Sequence, residues 1–255
     1  ESRTPHAWRA GPQTTLLAKQ IAGMANGDTF VMTIPKAPYR CPPGPYERAC
    51  VVADYLKRTK GPNARVLVLD ENPVIQAERH TFETAFNQIH AGTIRYESGV
   101  SHIAIQPGTR SLTYSDALGS TQLVQAKVIN PIAPHRAEGS QPGGWMAAAG
   151  LNNSDDGRWA KVNVLNYAST APGASDIHVI GDAASCGMPK AGHVANQEAK
   201  ICADAIVRAF LGAQPDPAPV ANSACYSPIT ASTASWLSAS CSSITPYSTS
   251  ALRRH

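Results

Sequence analysis

Chemistry in this chain is concentrated in a few short stretches. The first is Arg40-Cys41-Pro42-Pro43-Gly44-Pro45-Tyr46-Glu47-Arg48. Cys41 follows an apolar run, Thr29 to Ile34, that reads as a strand, and precedes a segment that reads as a helix. A thiol at a helix N-terminus faces unpaired N–H groups and the positive end of the macrodipole. Both features, with Arg40 alongside, favour thiolate over thiol and suit nucleophilic or redox chemistry. A small residue buried at a strand end has the same signature, so position alone does not choose between chemistry and packing. The second stretch is Ile177-His-Val-Ile-Gly-Asp-Ala183, an apolar strand ending in Gly181-Asp182, followed by a loop and a long helix from about Gly192 to Leu211. An aspartate at a strand's carboxyl end, just before a helix N-terminus, suits a cofactor hydroxyl and an electron-rich ring edge. Gly-Asp after a strand is also a common turn. A further cysteine stretch, Ala224-Cys225-Tyr226-Ser227, lies far downstream.

The elements that position these residues follow from periodicity. Leu16, Leu17, Ile21 and Met24 recur at helical spacing over residues 14–24. The strand at 29–34 leads into a proline-rich helix start, where missing N–H groups are tolerated. Ala49, Val52, Ala53 and Leu56 then mark one face of a helix to about Arg58. Ala64 to Asp70 is a continuous apolar strand of the kind found in parallel sheets covered on both faces. A βαβ unit whose second strand ends in an acid has the layout of a dinucleotide fold. Its first turn, however, carries Cys-Pro-Pro-Gly in place of Gly-x-Gly-x-x-Gly, and we read the unit as a Rossmann-like half without nucleotide binding. A helix is expected over 81–90, strands over 93–97, 102–105, 111–114 and 123–130, and a loop around a short helix over 135–158. Further strands are expected over 161–165 and 176–180. The helix from 192 should bury Ala195, Ala199, Cys202, Ile206 and Phe210. Beyond Gly212, Pro215, Pro217 and Pro219 form a linker. The Ser- and Thr-rich remainder shows little apolar periodicity, and predicts poor order or docking through Trp236 and Leu237 only.

Composition sets outer bounds. The chain has 255 residues, 43% hydrophobic and 16% charged, with a net charge of +4, enough for one large or two small domains. Basic residues are scattered, with no run longer than a pair, so nucleic-acid binding is not indicated. No apolar stretch is long enough to span a membrane as a helix, and no secretory signal opens the chain, which starts without Met and is expected to be processed or a fragment. The six cysteines are Cys41, Cys50, Cys186, Cys202, Cys225 and Cys241. None forms CxxC, CxxCH or a zinc pattern, and no metal site is expected. Cys50 and Cys202 fall on apolar helix faces and read as core.

Four blocks in order carry a resemblance to a known family: Pro38 to Arg48, Val179 to Ala183, Met188-Pro-Lys-Ala-Gly192 and Ala224 to Ser227. Together with Pro5-His-Ala-Trp-Arg-Ala-Gly11, they resemble the flavoprotein subunit of flavocytochrome c sulfide dehydrogenase, which groups with the sulfide:quinone reductases. The resemblance implies an α/β, Rossmann-like two-dinucleotide-domain fold that binds FAD. Residues 1–27 and 131–211 would belong to the FAD domain, 28–130 to the second, degenerate pyridine-nucleotide domain, and 212–255 to a linker and tail carrying Cys225. It implies a redox-active disulfide between Cys41 and Cys225, with Glu47 as a nearby carboxylate that handles the substrate proton. Asp182, with Gly181, would hold the ribityl chain of FAD. Gly192 would start a helix aimed at the flavin ring, Met188 and Lys190 would line that loop, and Trp8 would lie beside the flavin. The substrate would be sulfide, the partner a separate c-type cytochrome subunit holding the haem, and the location periplasmic.

The resemblance also implies an N-terminal FAD segment with a Gly-x-Gly-x-x-Gly loop and a structured C-terminus. Neither is matched in these 255 residues. A quinone-linked sulfide oxidoreductase and a non-catalytic module unable to hold FAD alone are the competing expectations.

Overall fold

The computed structural model describes residues 3–242, with side chains as far as 238, so the Cys241 side chain lies outside the described residues. The chain divides into two compact units. The first comprises Glu1–Ala37, Pro43–Pro134 and Ser227–Ser235, and the second Pro38–Pro42, His135–Tyr226 and the chain from Trp236.

The first unit is the βαβ layer. Helix α1 (Pro12–Ala22) precedes strand β1 (Thr29–Ile34), helix α2 (Gly44–Thr59) and strand β2 (Arg65–Asp70). Helix α3 (Arg79–Thr84) runs into a π-helical turn, Ala85–Ile89, before strand β3 (Ile94–Ser98). Strands β4 (Ser101–Gln106), β5 (Ser111–Ser115) and β6 (Thr121–Gln125) form an antiparallel sheet. Strand β7 (Val128–Pro131) returns to the parallel sheet, whose order is β3-β2-β1-β7. Val31, Leu67, Leu69 and Ile129 pack with Val100, Leu112, Tyr114 and Ala126 of the antiparallel layer. On α2, the predicted face of Ala49, Val52, Ala53 and Leu56 is buried, and so is Cys50. Burial pushes the Cys50 thiol up to about 12, which fits a core residue. Sequence grouped residues 1–27 with 131–211; here α1 falls in the unit of the parallel sheet.

The second unit contains the four-residue helix α4 (Trp145–Ala148) and the short strands β8 (Ala160–Lys161) and β9 (Ala184–Ser185), which pair in parallel. The 19-residue helix α5 (Gly192–Phe210) follows. Strands β10 (Val220–Pro228) and β11 (Ala234–Ser242) form a two-stranded sheet. The turn between them lies in the first unit.

Several expectations are corrected. The run at 123–130 is two strands, because Val128 leaves the antiparallel sheet to pair with Phe30. The expected strand at 161–165 stops early, since Asn163 Oδ1 takes the N–H of Leu165 in an Asx turn. Segment 176–180 makes one bridge, between His178 and Ala168, and no longer ladder. On α5 the buried residues are Val194, Glu198, Cys202 and Ala205, while Phe210 is 87% exposed. Of the Ser-rich segment expected to be poorly ordered or docked only through Trp236 and Leu237, residues 227–242 form the end of the first strand, the turn and the second strand of the β10–β11 hairpin, and the rest lies outside the described residues. The hairpin is anchored by polar bonds that hydrophobic periodicity does not reveal: Ile229 O sits 2.9 Å from His90 Nε2, and Ala231 N–H donates to Asp54 at 3.1 Å.

At the carboxyl end of β2, Asp70 is fully buried. Its Oδ2 accepts the hydroxyls of Tyr46 and Tyr96 at 2.8 and 2.9 Å. Its Oδ1 accepts Asn72 N and Nδ2 at 2.9 and 2.7 Å. Burial raises its pKa, and these four donors oppose the shift. Tyr46 in turn accepts Gln76 N–H at 3.1 Å. Tyr46→Phe leaves both an acceptor and a donor short of a partner, and is expected to lower stability by about 1–3 kcal/mol in urea unfolding. A change below about 0.5 kcal/mol would contradict this account of the network.

Candidate functional site

Cys41 is exposed and adopts φ 58, a left-handed conformation that costs a residue with a Cβ roughly 1–2 kcal/mol. Its backbone is held from both sides. Cys41 N–H donates to Lys190 O at 2.7 Å, and the preceding Arg40 N–H donates to His135 Nδ1 at 2.8 Å. Tyr39 closes the turn, donating to Pro42 O at 3.3 Å and standing edge-on to the His135 ring. The cysteine loop is thus fixed to the 190 loop by main-chain atoms.

Lys190 is 6% exposed. Its ammonium donates to Asp182 O at 2.7 Å and Ala184 O at 2.8 Å, and lies 3.8 Å from the Trp159 ring centroid. Desolvation lowers its pKa, with the surrounding acids acting in opposition. The two carbonyls belong to the turn that contains Gly181 and Asp182 and leads into β9. Gly181 takes φ 70, and a Cβ there would lie 3.4 Å from the Ala195 Cβ on the first turn of α5. Glycine therefore permits the backbone conformation, while the helix leaves room for a Cβ at ordinary contact distance. The Asp182 carboxylate is 3.3 Å from Arg40 Nε, an exposed pair of small energetic worth that sets direction more than stability.

Glu198 was not anticipated. It is 2% exposed, accepts the Gly181 N–H on Oε2, and accepts the Cys186 thiol on Oε1 at 3.2 Å. Burial raises the pKa of both groups, that of Cys186 to about 12. Cys186 is a donor in this brace. The available sequence signal was the 194-198-202 spacing, which places an acid on the buried stripe of α5.

Cys41, Asp182, Lys190 and the start of α5 are thus brought together in the second unit, and Cys225 lies in the same unit on β10. Met188 is on the half-buried loop before Lys190. Trp8 and Glu47 lie in the first unit. There, Arg48 stacks 4.7 Å from the Trp8 ring centroid and donates to His6 O, Ala7 O and Asn130 Oδ1. Asn130 Nδ2 donates to Pro5 O and His6 O, so the N-terminal segment is tied to β7. Glu47, in the first turn of α2, is half-buried and has a pKa raised to about 7. Desolvation is the main cause, the Glu78 carboxylate adds to it, and Arg48 opposes it.

Residues 14–133 match the family model described as sulfide dehydrogenase (flavocytochrome c) flavoprotein chain, central. The matched region contains Cys41 and Glu47, while Trp8, Asp182, Lys190 and Cys225 lie outside it. Among solved structures, a chain of the Tetrahymena thermophila mitochondrial ATP synthase (the F1Fo composite tetramer, by cryo-EM) matches with a TM-score of 0.68 at 14% identity. That match covers 94% of this chain and 58% of the other. The sulfide:quinone oxidoreductase of the hyperthermophilic bacterium Aquifex aeolicus matches with a TM-score of 0.67 at 20% identity, over 89% of this chain and 53% of that one. At these identities the likeness is one of fold, which is α/β and Rossmann-like. The chain spans little more than half the length of the chains it matches.

The residues present fit one end of a flavin. Helix α5 starts at Gly192 with no side-chain cap on its first N–H groups, and beside it the Gly181 turn leaves the Asp182 carboxylate partly exposed. An uncapped N-terminus favours electron-rich groups, and a carboxylate accepts hydroxyls. A glycine-rich pyrophosphate loop has no counterpart in this sequence. No helix among the described residues is long and apolar enough to cross a membrane.

Glu47 provides a direct test. Because its folded-state pKa is raised from 4.5 to about 7, its contribution favours folding below pH 4.5 and is lost as pH rises through 7. Its side chain should titrate near neutrality by carboxyl carbon NMR. Glu47→Gln should flatten the fall in stability across that interval, an effect on the order of 1 kcal/mol at a half-exposed site. Titration at an ordinary glutamate pKa would refute the assignment.

Proposed function

We propose that this chain is part of an FAD-dependent, sulfide-oxidising flavoprotein that works through a Cys41–Cys225 disulfide and delivers electrons to a c-type cytochrome subunit in the periplasm. The observation that carries the reading is the family match over residues 14–133, which includes the Cys41 block. It is supported by the main-chain bond joining Cys41 to Lys190, whose side chain holds the Asp182 turn.

The step assigned to the chain's own residues is thiol–disulfide exchange. Hydrosulfide attacks one sulfur of the pair, the S–S bond breaks, and the other cysteine leaves as thiolate while a persulfide remains on the first. The exposed position of Cys41 suits entry of a small anion. Glu47, with its pKa near 7, accepts the proton released as hydrogen sulfide becomes hydrosulfide, and this is general-base work suited to neutral pH. Asp182 would accept ribityl hydroxyls, held in place by Arg40 and by the Lys190 brace on its main chain. The α5 N-terminus at Gly192 would favour negative charge on the ring, with Met188 on the adjoining loop, and the resemblance assigns Trp8 to the flavin as well. FAD, when bound, supplies a two-electron acceptor that can release electrons one at a time to a haem.

The test is sulfide-dependent loss of oxidised-flavin absorbance in the purified chain supplied with FAD, without oxygen. Cys41→Ser and Cys225→Ser should each slow that loss by at least about 100-fold while leaving bound flavin in place. A chain that takes up no flavin supports the non-catalytic module instead. Reduction of added quinone but not cytochrome c supports the quinone-linked alternative.

A further inference from the structure

The hairpin that carries Cys225 is clasped beside its turn by one carboxylate. Glu78, the residue before α3, receives the Ser227 hydroxyl on Oε1 and the Ser235 hydroxyl on Oε2, each at 2.6 Å. Ser227 lies on β10 and Ser235 on β11, so a single side chain joins both strands. Ser227 is fully buried. Residues i and i+2 of a strand share a face, and Cys225 stands two positions before Ser227 on the same strand. Glu78 itself has φ 48, the left-handed region, although it carries a side chain. Glycine would satisfy that backbone at lower cost. Here a glutamate occupies a conformation that disfavours it, with both carboxylate oxygens engaged by opposite strands. Two further anchors of the hairpin, His90 on Ile229 O and Asp54 on Ala231 N–H, hold the turn.

We propose that Glu78 is the positioning residue for Cys225, fixing β10 against β11 so that the cysteine is held at its working place in the chain. The importance of that place rests on the disulfide reading given above; the clasp itself does not. Its charge has a second effect, since the Glu78 carboxylate is one cause of the raised pKa of Glu47. One side chain thereby influences both the strand of a reactive cysteine and the acid assigned to its proton.

The test uses the full chain and three variants, read by amide hydrogen exchange and by alkylation of Cys225 in the reduced protein, mapped by mass spectrometry. Glu78→Gly relieves the backbone and removes the clasp. It should speed exchange in β10 and β11 by about 10- to 100-fold and accelerate Cys225 alkylation, with β1 and β2 unchanged. The Ser227→Ala/Ser235→Ala double variant should reproduce this pattern. Glu78→Gln can accept one serine hydroxyl and donate to the other, and should hold hairpin exchange within about threefold of the parent. By removing the charge it should also lower the Glu47 titration midpoint, which a purely structural role would not move. Unchanged hairpin exchange in Glu78→Gly, or acceleration spread equally through β1 and β2, would overturn the proposal. None of these readouts needs turnover. An absence of sulfide-driven flavin reduction in the parent chain would count against the functional reading alone.

Discussion

An ammonium withdrawn from water must be given oxygen or π-electron density, and the way Lys190 meets that requirement organises the candidate site. Its side chain takes two carbonyls of the Asp182–Ala184 turn and the face of Trp159. Its own carbonyl takes the Cys41 N–H. One residue therefore ties a cysteine loop to an acidic turn more than a hundred positions away in sequence. Glu198 fastens the same turn from the helix side, through Gly181 N–H. The two buried groups carry opposite charge and serve adjacent parts of one short segment. Loss of either would leave a buried polar group without its partner, which is more costly than the bond itself is worth.

The βαβ unit was legible because its signals are local. The strand at 29–34 and the helix ending near 58 were read within a residue or two, since apolar period and proline position alone decide them. Where hydrogen bonds between distant residues decide the structure, the sequence was silent. The hairpin at 220–242 depends on Asp54, Glu78 and His90, none of which is near it in the chain. Segment 176–180 has the composition of a strand but finds only one bridge, and composition does not say whether neighbours are present. The run at 123–130 contains no breaker at the point where the chain changes sheet.

The candidate site shows the same division. Cys41 and Asp182 were singled out because their residue types sit at strand and helix ends, and Glu47 through the resemblance carried by its block. Glu198 and Trp159 were missed because an acid inside a helix and a tryptophan in a loop carry no motif. Arg40 was noted for its charge beside Cys41, whereas its guanidinium pairs with Asp182. Which elements a side chain reaches is a property of the folded backbone, and only its chemical type is written in the chain.

The Asp70 network has a consequence for how this domain can change. In a dinucleotide fold the acid at that strand end is available to a ribose. Here every lone pair of the carboxylate is already taken, two of them by hydroxyls from α2 and β3. Restoring a glycine-rich turn between β1 and α2 would not by itself make the acid available. Tyr46 and Tyr96 would have to go as well, and each removal taken singly leaves the buried Asp70 carboxyl one donor short. Any route to a nucleotide site in this domain therefore descends through less stable intermediates.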